Sequence, residues 1–275
     1  MNLEHEIDRT GMTLDPPGRI GIFGSGPLAL EAALYGRFLG YEVTVIDGGQ
    51  TCDYLRTIEE TPISLLPSRA LSVLAWSAIH AQDPDSLDSF SNMQVITVRD
   101  WLNAGPRKLI ETDLLQDRIL NGHRVSKIEF VEASVFDESI DTSQRESTEA
   151  ANNENWPDKT VTKDDNDDFE IDGDVPPDFH VHLEVVASGP EVPKTKGKLL
   201  DFEAVLWSPV ETDDTAVSGL NTCSLSPYFF TLEDITLSDV GQLEESLVKG
   251  RGAIVKIYAQ LMGRASLDLY RPFRS

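Results

Sequence analysis

Apolar and polar positions along the chain mark out its elements before any residue is given a role. Residues 19–23 form a short apolar run that ends in a glycine turn. From 27 to 39, apolar residues including Leu28, Ala32, Tyr35 and Leu39 fall at helical spacing, and Gly40 stands where a helix stops. Residues 41–47 are β-branched and alternate, predicting a second strand. Strand, helix and strand together occupy about 28 residues, the length of one βαβ unit. Between 48 and 102 the pattern is weaker and predicts a helix over 71–81 and a loop over 83–92. Residues 103–121 are expected to include another helix, with Gly122 past its end. Residues 123–133, 179–187 and 199–208 alternate as three strands, joined most simply as an antiparallel meander. Residues 240–262 read as a long amphipathic helix, weakened at Gly250 and Gly252. No internal repeat is present.

The polar stretch 1–18, ending Asp15-Pro16-Pro17-Gly18, predicts a flexible tail and a turn, so that 19–275 is a single domain. Composition changes this picture in one place. The formal net charge is −24, and residues 137–178 hold 15 acidic and 3 basic side chains, which accounts for half of it. That segment is too poor in apolar residues to offset the entropy of ordering, so it is expected to be a disordered acidic insertion in the meander. The same charge argues against nucleic acid and anionic membranes as partners. The N-terminus lacks a basic region followed by an apolar stretch, no apolar run is long enough to span a bilayer, and Cys52 and Cys223 form no CxxC. A cytoplasmic protein is the expectation.

The glycine turn carries the chemistry. In Gly24-Ser25-Gly26-Pro27-Leu28-Ala29 the first glycine permits a tight turn and the second lets a pyrophosphate approach the backbone. Ala29 is small enough for close packing of helix on strand. The amides that open the helix, with the positive end of its dipole, suit phosphate. Asp47, 21 residues beyond Gly26 and followed by Gly48, ends the second strand where a carboxylate can accept from an adenosine ribose. The alternative is a glycine turn that binds nothing.

These residues resemble the FAD-binding start of the two-dinucleotide-binding flavoproteins, a family that includes thioredoxin-reductase-like and flavin-monooxygenase-like enzymes. The resemblance rests on residues 21–47, with Gly24, Gly26, Ala29 and Asp47 at the motif positions. It implies a Rossmann-like α/β fold, a parallel sheet with an antiparallel three-stranded meander. It also implies bound FAD, with NAD as the alternative, acting as hydride acceptor for a small-molecule substrate, and NAD(P)H as a further partner. By the same resemblance, a backbone group near the start of the Val125-x-x-Ile128 strand, carried over to Val125, contacts adenine, and Asp234 contacts the ribityl chain. Three departures stand out. Trp207-Ser208-Pro209 replaces an Ala-Thr-Gly turn, Glu233 replaces a glycine and would crowd a close backbone approach, and no second GxGxxG exists. A catalytically degenerate nucleotide-binding or interaction module is therefore the competing expectation.

Other candidates favour bland readings. His180 and His182 point the same way from a strand but lack a third ligand, so they read as hairpin residues. The stretch beginning at Asp168 places Gly173 as a calcium loop would, but Phe179 falls where a bidentate Glu belongs. Cys52 reads as an inert buried thiol and Glu31 as a surface charge. Arg37, Arg56, Arg99 and Arg107 are not separable from ordinary surface arginines. No metal site and no catalytic acid or base is identified, and the oligomeric state is left open.

Overall fold

In β1 (Arg19–Phe23) alternate side chains leave on opposite faces, and in this fold both faces are covered. Ile20 and Ile22 turn to one buried cluster and Phe23 to another. The computed structural model describes residues 13–24, 26–131, 179–186, 197–209 and 217–271. These lie in a unit formed by residues 1–131 and 177–275.

After β1 the chain runs through α1 (Pro27–Phe38) into β2 (Glu42–Asp47), which pairs parallel to β1 with Ile22 opposite Val45. Pro27 suits the first helical position because its fixed φ favours a helix and its missing N–H is not needed there. Every residue from Pro27 to Gly36 is buried. A helix apolar on nearly all sides must be enclosed.

Short elements follow: β3 (Pro62–Ile63), α2 (Pro67–Ala70), α3 (Val73–Gln82), α4 (Pro84–Ser91), β4 (Ile96–Thr97), α5 (Val98–Ala104) and α6 (Pro106–Leu109). Here the sequence expectations need correction. Residues 83–92 are a helix rather than a loop, because Leu87 and Phe90, one turn apart, bury themselves in the core. The helix expected within 103–121 is the short α6, and a longer one, α5, begins earlier, at Val98. There Thr97 and Asp100 form a reciprocal capping box, and the helix breaks at Gly105. The end of that stretch is a strand, β5 (Ile119–Asn121), paired parallel to β2, and Gly122 (φ 68°) turns the chain into β6 (His123–Phe130).

β6 pairs antiparallel with β7 (Phe179–Val185), and β7 with β8 (Lys198–Phe202), giving the expected three-stranded meander. The run 199–208, read as one strand, is two. It leaves the meander after Phe202, and from β9 (Ala204–Trp207) onward it is a parallel neighbour of β1. Arg19 fastens the bend between them, its Nε and Nη2 donating to Glu203 at 2.9 and 2.7 Å. After α7 (Leu220–Cys223), β10 (Phe229–Thr231) joins β9, and α8 (Leu243–Leu261) returns across α1. α8 is continuous. Gly250 is no weak point, since a Cβ there would collide with Leu28 and its absence lets the two helices approach.

The parallel sheet has the order β10-β9-β1-β2-β5. Numbering these five strands by their place in the chain gives 3-2-1-4-5 from the β5 edge, the doubly wound, Rossmann-type arrangement. One face packs against α1, α8 and the helices of residues 67–109, and the other against the meander, where Phe23, Ile46, Val181, Phe202 and Val205 form a second core. The tail expectation is corrected for residues 13–18. Leu14 donates its N–H to Leu261 at 2.8 Å and accepts from the Tyr41 hydroxyl at 2.6 Å, so this part is pinned. The acidic stretch 137–178, with Asp168 and Gly173, lies outside the described residues.

Candidate functional site

In a doubly wound sheet the crevice forms beyond the carboxyl ends of the strands, where the order reverses. Here that place is the end of β1 between β9 and β2. Gly24, at φ +149°, continues the ladder by donating to Ile46 at 3.2 Å. A Cβ on Gly24 would overlap the carbonyl of Ser208, which follows β9 and donates its own N–H to Phe23 at 2.8 Å. The glycine is therefore required by a close approach of two backbone segments. Ser25 lies outside the described residues.

Gly26 is the N-cap of α1 and offers no side chain to cap it. The cap comes from the far end of the chain. Asp234, on the segment after β10, is 6% exposed. Its Oδ1 accepts from the Leu28 amide and its Oδ2 from the Ala29 amide, both at 2.9 Å. These are the second and third helical positions, the ones an N-cap oxygen serves. The Ile235 amide (2.7 Å) and the Ser208 hydroxyl (3.1 Å) donate to the same carboxylate. The helix's positive end adds favourable electrostatics. Burial nevertheless pushes the Asp234 carboxyl above its usual range, against the pull of its hydrogen bonds from Leu28, Ile235, Ala29 and Ser208.

The first turn of α1 is thereby fully engaged. Pro27 has no N–H, Leu28 and Ala29 donate to Asp234, and Leu30 donates to the Gly26 carbonyl at 3.3 Å. A Cβ on Gly26 would overlap the Asp234 carboxyl group, so the space that the second glycine leaves open is taken by that side chain. In this conformation the corner does not fit a diphosphate.

Asp47 ends β2 as expected and is buried, with its Oδ1 accepting from the Gly49 amide at 2.9 Å. Gly48 beside it is exposed. Cys52, five residues beyond Asp47, has a left-handed backbone (φ 60°) that is uncommon outside glycine. Burial first, then the nearby Asp234 and Asp47 carboxylates, push its thiol well up. That keeps it protonated and matches the inert reading. The Tyr54 hydroxyl, raised by burial and then by Asp234, donates to the Ile235 carbonyl and closes the Asp234 segment from that side.

The structure thus brings Gly24, Gly26, Pro27, Leu28, Ala29 and Asp234 into one corner and sets Asp47 and Gly48 at the end of the neighbouring strand. Val125, in β6, is buried in the meander core with Phe23 and Ile46, beside a break in register between Val125 and Lys127. Glu233 does not crowd the corner. It is exposed and pairs with Lys249 at 2.5 Å. Ser208, which the sequence offered only as part of a departure from a family turn, is one of the corner's four donors to the carboxylate.

Glu31 is a correction. It is 5% exposed, accepts from Ser72 Oγ at 2.6 Å and pairs with Arg251 Nη2 at 3.2 Å. A lone carboxylate inside the otherwise apolar Pro27–Gly36 run was the available signal, since a helix enclosed on all sides has no solvated face for it. Arg251 also donates to the Arg69 and Ala70 carbonyls at the end of α2. Arg251 lines a cavity of about 300 Å³ together with Ser72, Val73, Val248 and Tyr270. Arg107 and Arg99 pair with Glu59, Arg56 pairs with Asp53, and Arg37 donates to the Tyr41 carbonyl. His180 and His182 bond Asp201 (2.5 Å) and Glu129 (2.8 Å). Among the described residues no group of three metal-ligating side chains is assembled, and no helix is long and apolar enough to cross a membrane.

No family model matches the chain, and no curated protein matches it. Among solved structures it is similar to THI4 of Thermovibrio ammonificans, at 8% identity and a TM-score of 0.47, over 89% of this chain and 90% of that one. It is similar to ornithine hydroxylase (PvdA) from Pseudomonas aeruginosa at 15% identity and a TM-score of 0.42, over 76% of this chain and 42% of that one. With OTEMO in complex with FAD and NADP the values are 11% and 0.35, over 73% and 28%. The chain spans about two fifths of the ornithine hydroxylase and under a third of OTEMO. At these scores the likeness adds nothing to what the strand order shows.

Proposed function

We propose that the chain is an FAD-binding, oxidoreductase-like protein in which a flavin accepts hydride from a small substrate. The observation that supports this most is the meeting of three features at one switch point. They are the glycine corner at the end of β1, the enclosed α1 behind it, and Asp47 at the end of β2, where a ribose would lie. Gly24, Ser25, Gly26, Pro27, Leu28 and Ala29 would hold the diphosphate once Asp234 has moved, and Gly48 would border the ribose. Val125 would lie toward the adenine. The bound flavin would supply the redox chemistry, while the chain supplies placement and charge. NAD as sole cofactor is the less favoured occupant, because the meander on the second face accords with the flavoprotein resemblance. NAD(P)H as a separate reductant has no seat among the residues named.

One observation favours a second reading, a degenerate module that holds no nucleotide. Every first-turn donor of α1 is already engaged inside the protein. The absorption spectrum of the purified chain between about 350 and 500 nm separates the two, because bound flavin absorbs there. The flavin reading expects two bands, or their appearance on adding FAD and removing the excess. A colourless protein that retains no added FAD favours the degenerate module.

A further inference from the structure

The carboxylate on the α1 amides asks for more than a structural explanation. If capping were the only demand, a serine or aspartate at position 26 would meet it locally. The chain has glycine there and brings the cap from Asp234, 206 positions beyond Leu28. Both oxygens of Asp234 are spent on adjacent helix-start amides, as an anionic ligand's oxygens are at such sites. The carboxyl group fills the space over Gly26 and lies at the switch point of the sheet. The carboxylate is buried near Cys52 and Tyr54, with Asp47 also near Cys52. Its compensation is its hydrogen bonds and the positive end of α1.

We propose that Asp234 is a built-in anion that holds the α1 amides in place of a diphosphate, so that a dinucleotide binds this corner only by displacing it. This rests on reading the corner as a diphosphate site and adds how access to it is controlled. It also reverses the role that the family resemblance gives Asp234, which is that of a cofactor ligand. The two roles differ in sign. Removing a competitor tightens binding, and removing a ligand weakens it.

The test uses the full chain and its Asp234→Ala and Asp234→Asn variants. The probes are inorganic pyrophosphate and FAD, with sodium chloride at matched ionic strength as the control. Asp234→Asn guards against loss of folding in the alanine variant. Its amide oxygen still serves Leu28 and Ile235, while its NH2 faces the Ala29 N–H and loosens the closure. The expected result is that pyrophosphate raises the melting temperature of either folded variant by several degrees and leaves the wild type unmoved. FAD should bind the variants at least tenfold more tightly than the wild type. If pyrophosphate stabilises the variants but FAD binds none of the three proteins, the displacement stands and the flavin reading fails. If the wild type binds FAD and the variants bind it more weakly, Asp234 is a ligand and the displacement is overturned while the flavin reading survives. If pyrophosphate shifts all three proteins alike, or none, Asp234 is a structural cap and the proposal is overturned.

Discussion

At the scale of single residues, the chemistry of the corner turns on the ionisation of Asp234. Its folded-state pKa lies above the unfolded value, because burial outweighs the four hydrogen bonds. The native state therefore binds the proton more tightly than the unfolded chain. The stability linked to that proton is fully present below the unfolded pKa of about 3.9 and is lost as pH rises through the folded value. Urea unfolding of the wild type and of Asp234→Asn between pH 4 and 7 checks this. The stability of the wild type relative to the variant should rise as pH falls through that window. A difference that stays constant with pH would rule it out. The variant is the right reference because the many other carboxylates titrate alike in both proteins and cancel.

At the scale of elements, α8 offers a comparison within one helix. Gly250 faces Leu28 with no room for a Cβ, whereas Gly252, one half-turn away, has nothing within 4 Å. Alanine at either position gains about 1 kcal/mol of helix propensity. At 252 that gain stands, so Gly252→Ala should raise stability by roughly that amount. At 250 overpacking of about 1–3 kcal/mol opposes it, so Gly250→Ala should be neutral to destabilising. Thermal melts of the two variants read the difference in sign. The helices also show where sequence patterns carry information. The βαβ unit of residues 19–47 was legible because its apolar period changes twice within a short span, with glycine marking one boundary. Residues 84–91 were not, because their only apolar anchors, Leu87 and Phe90, sit in a run of Asp and Ser that reads as a turn. The division of 199–208 was hidden for another reason. Phe202 faces the meander core and Ala204 the helix-side core, so the alternation slips by one at Glu203 while the composition stays strand-like. The corner's residues could be picked out along the chain, but the carboxylate closing it could not. Its partner amides are some two hundred positions away, and no local period links them.

At the scale of the whole molecule, half of the net charge lies between two strands that pair without it. β6 and β7 stay paired to their last partners, Phe130 opposite Phe179, so the meander is closed before the acidic stretch is reached. Replacing residues 132–177 with a four-residue Asn-Gly turn should leave a cooperative melt, since shorter connections cost less closure entropy and Asn-Gly suits a tight hairpin. Insolubility, or a broad transition without a baseline, would show that the excised residues are needed by the unit described. The handover from β8 to β9 behaves in the opposite way. Inserting one residue at Glu203 would throw either the meander or the central sheet out of register, moving each of its side chains to the opposite face. The chain can thus lengthen freely at one hairpin, yet at this joint its length is fixed to the single residue, a constraint that natural variation in the lineage should record as an absence of insertions.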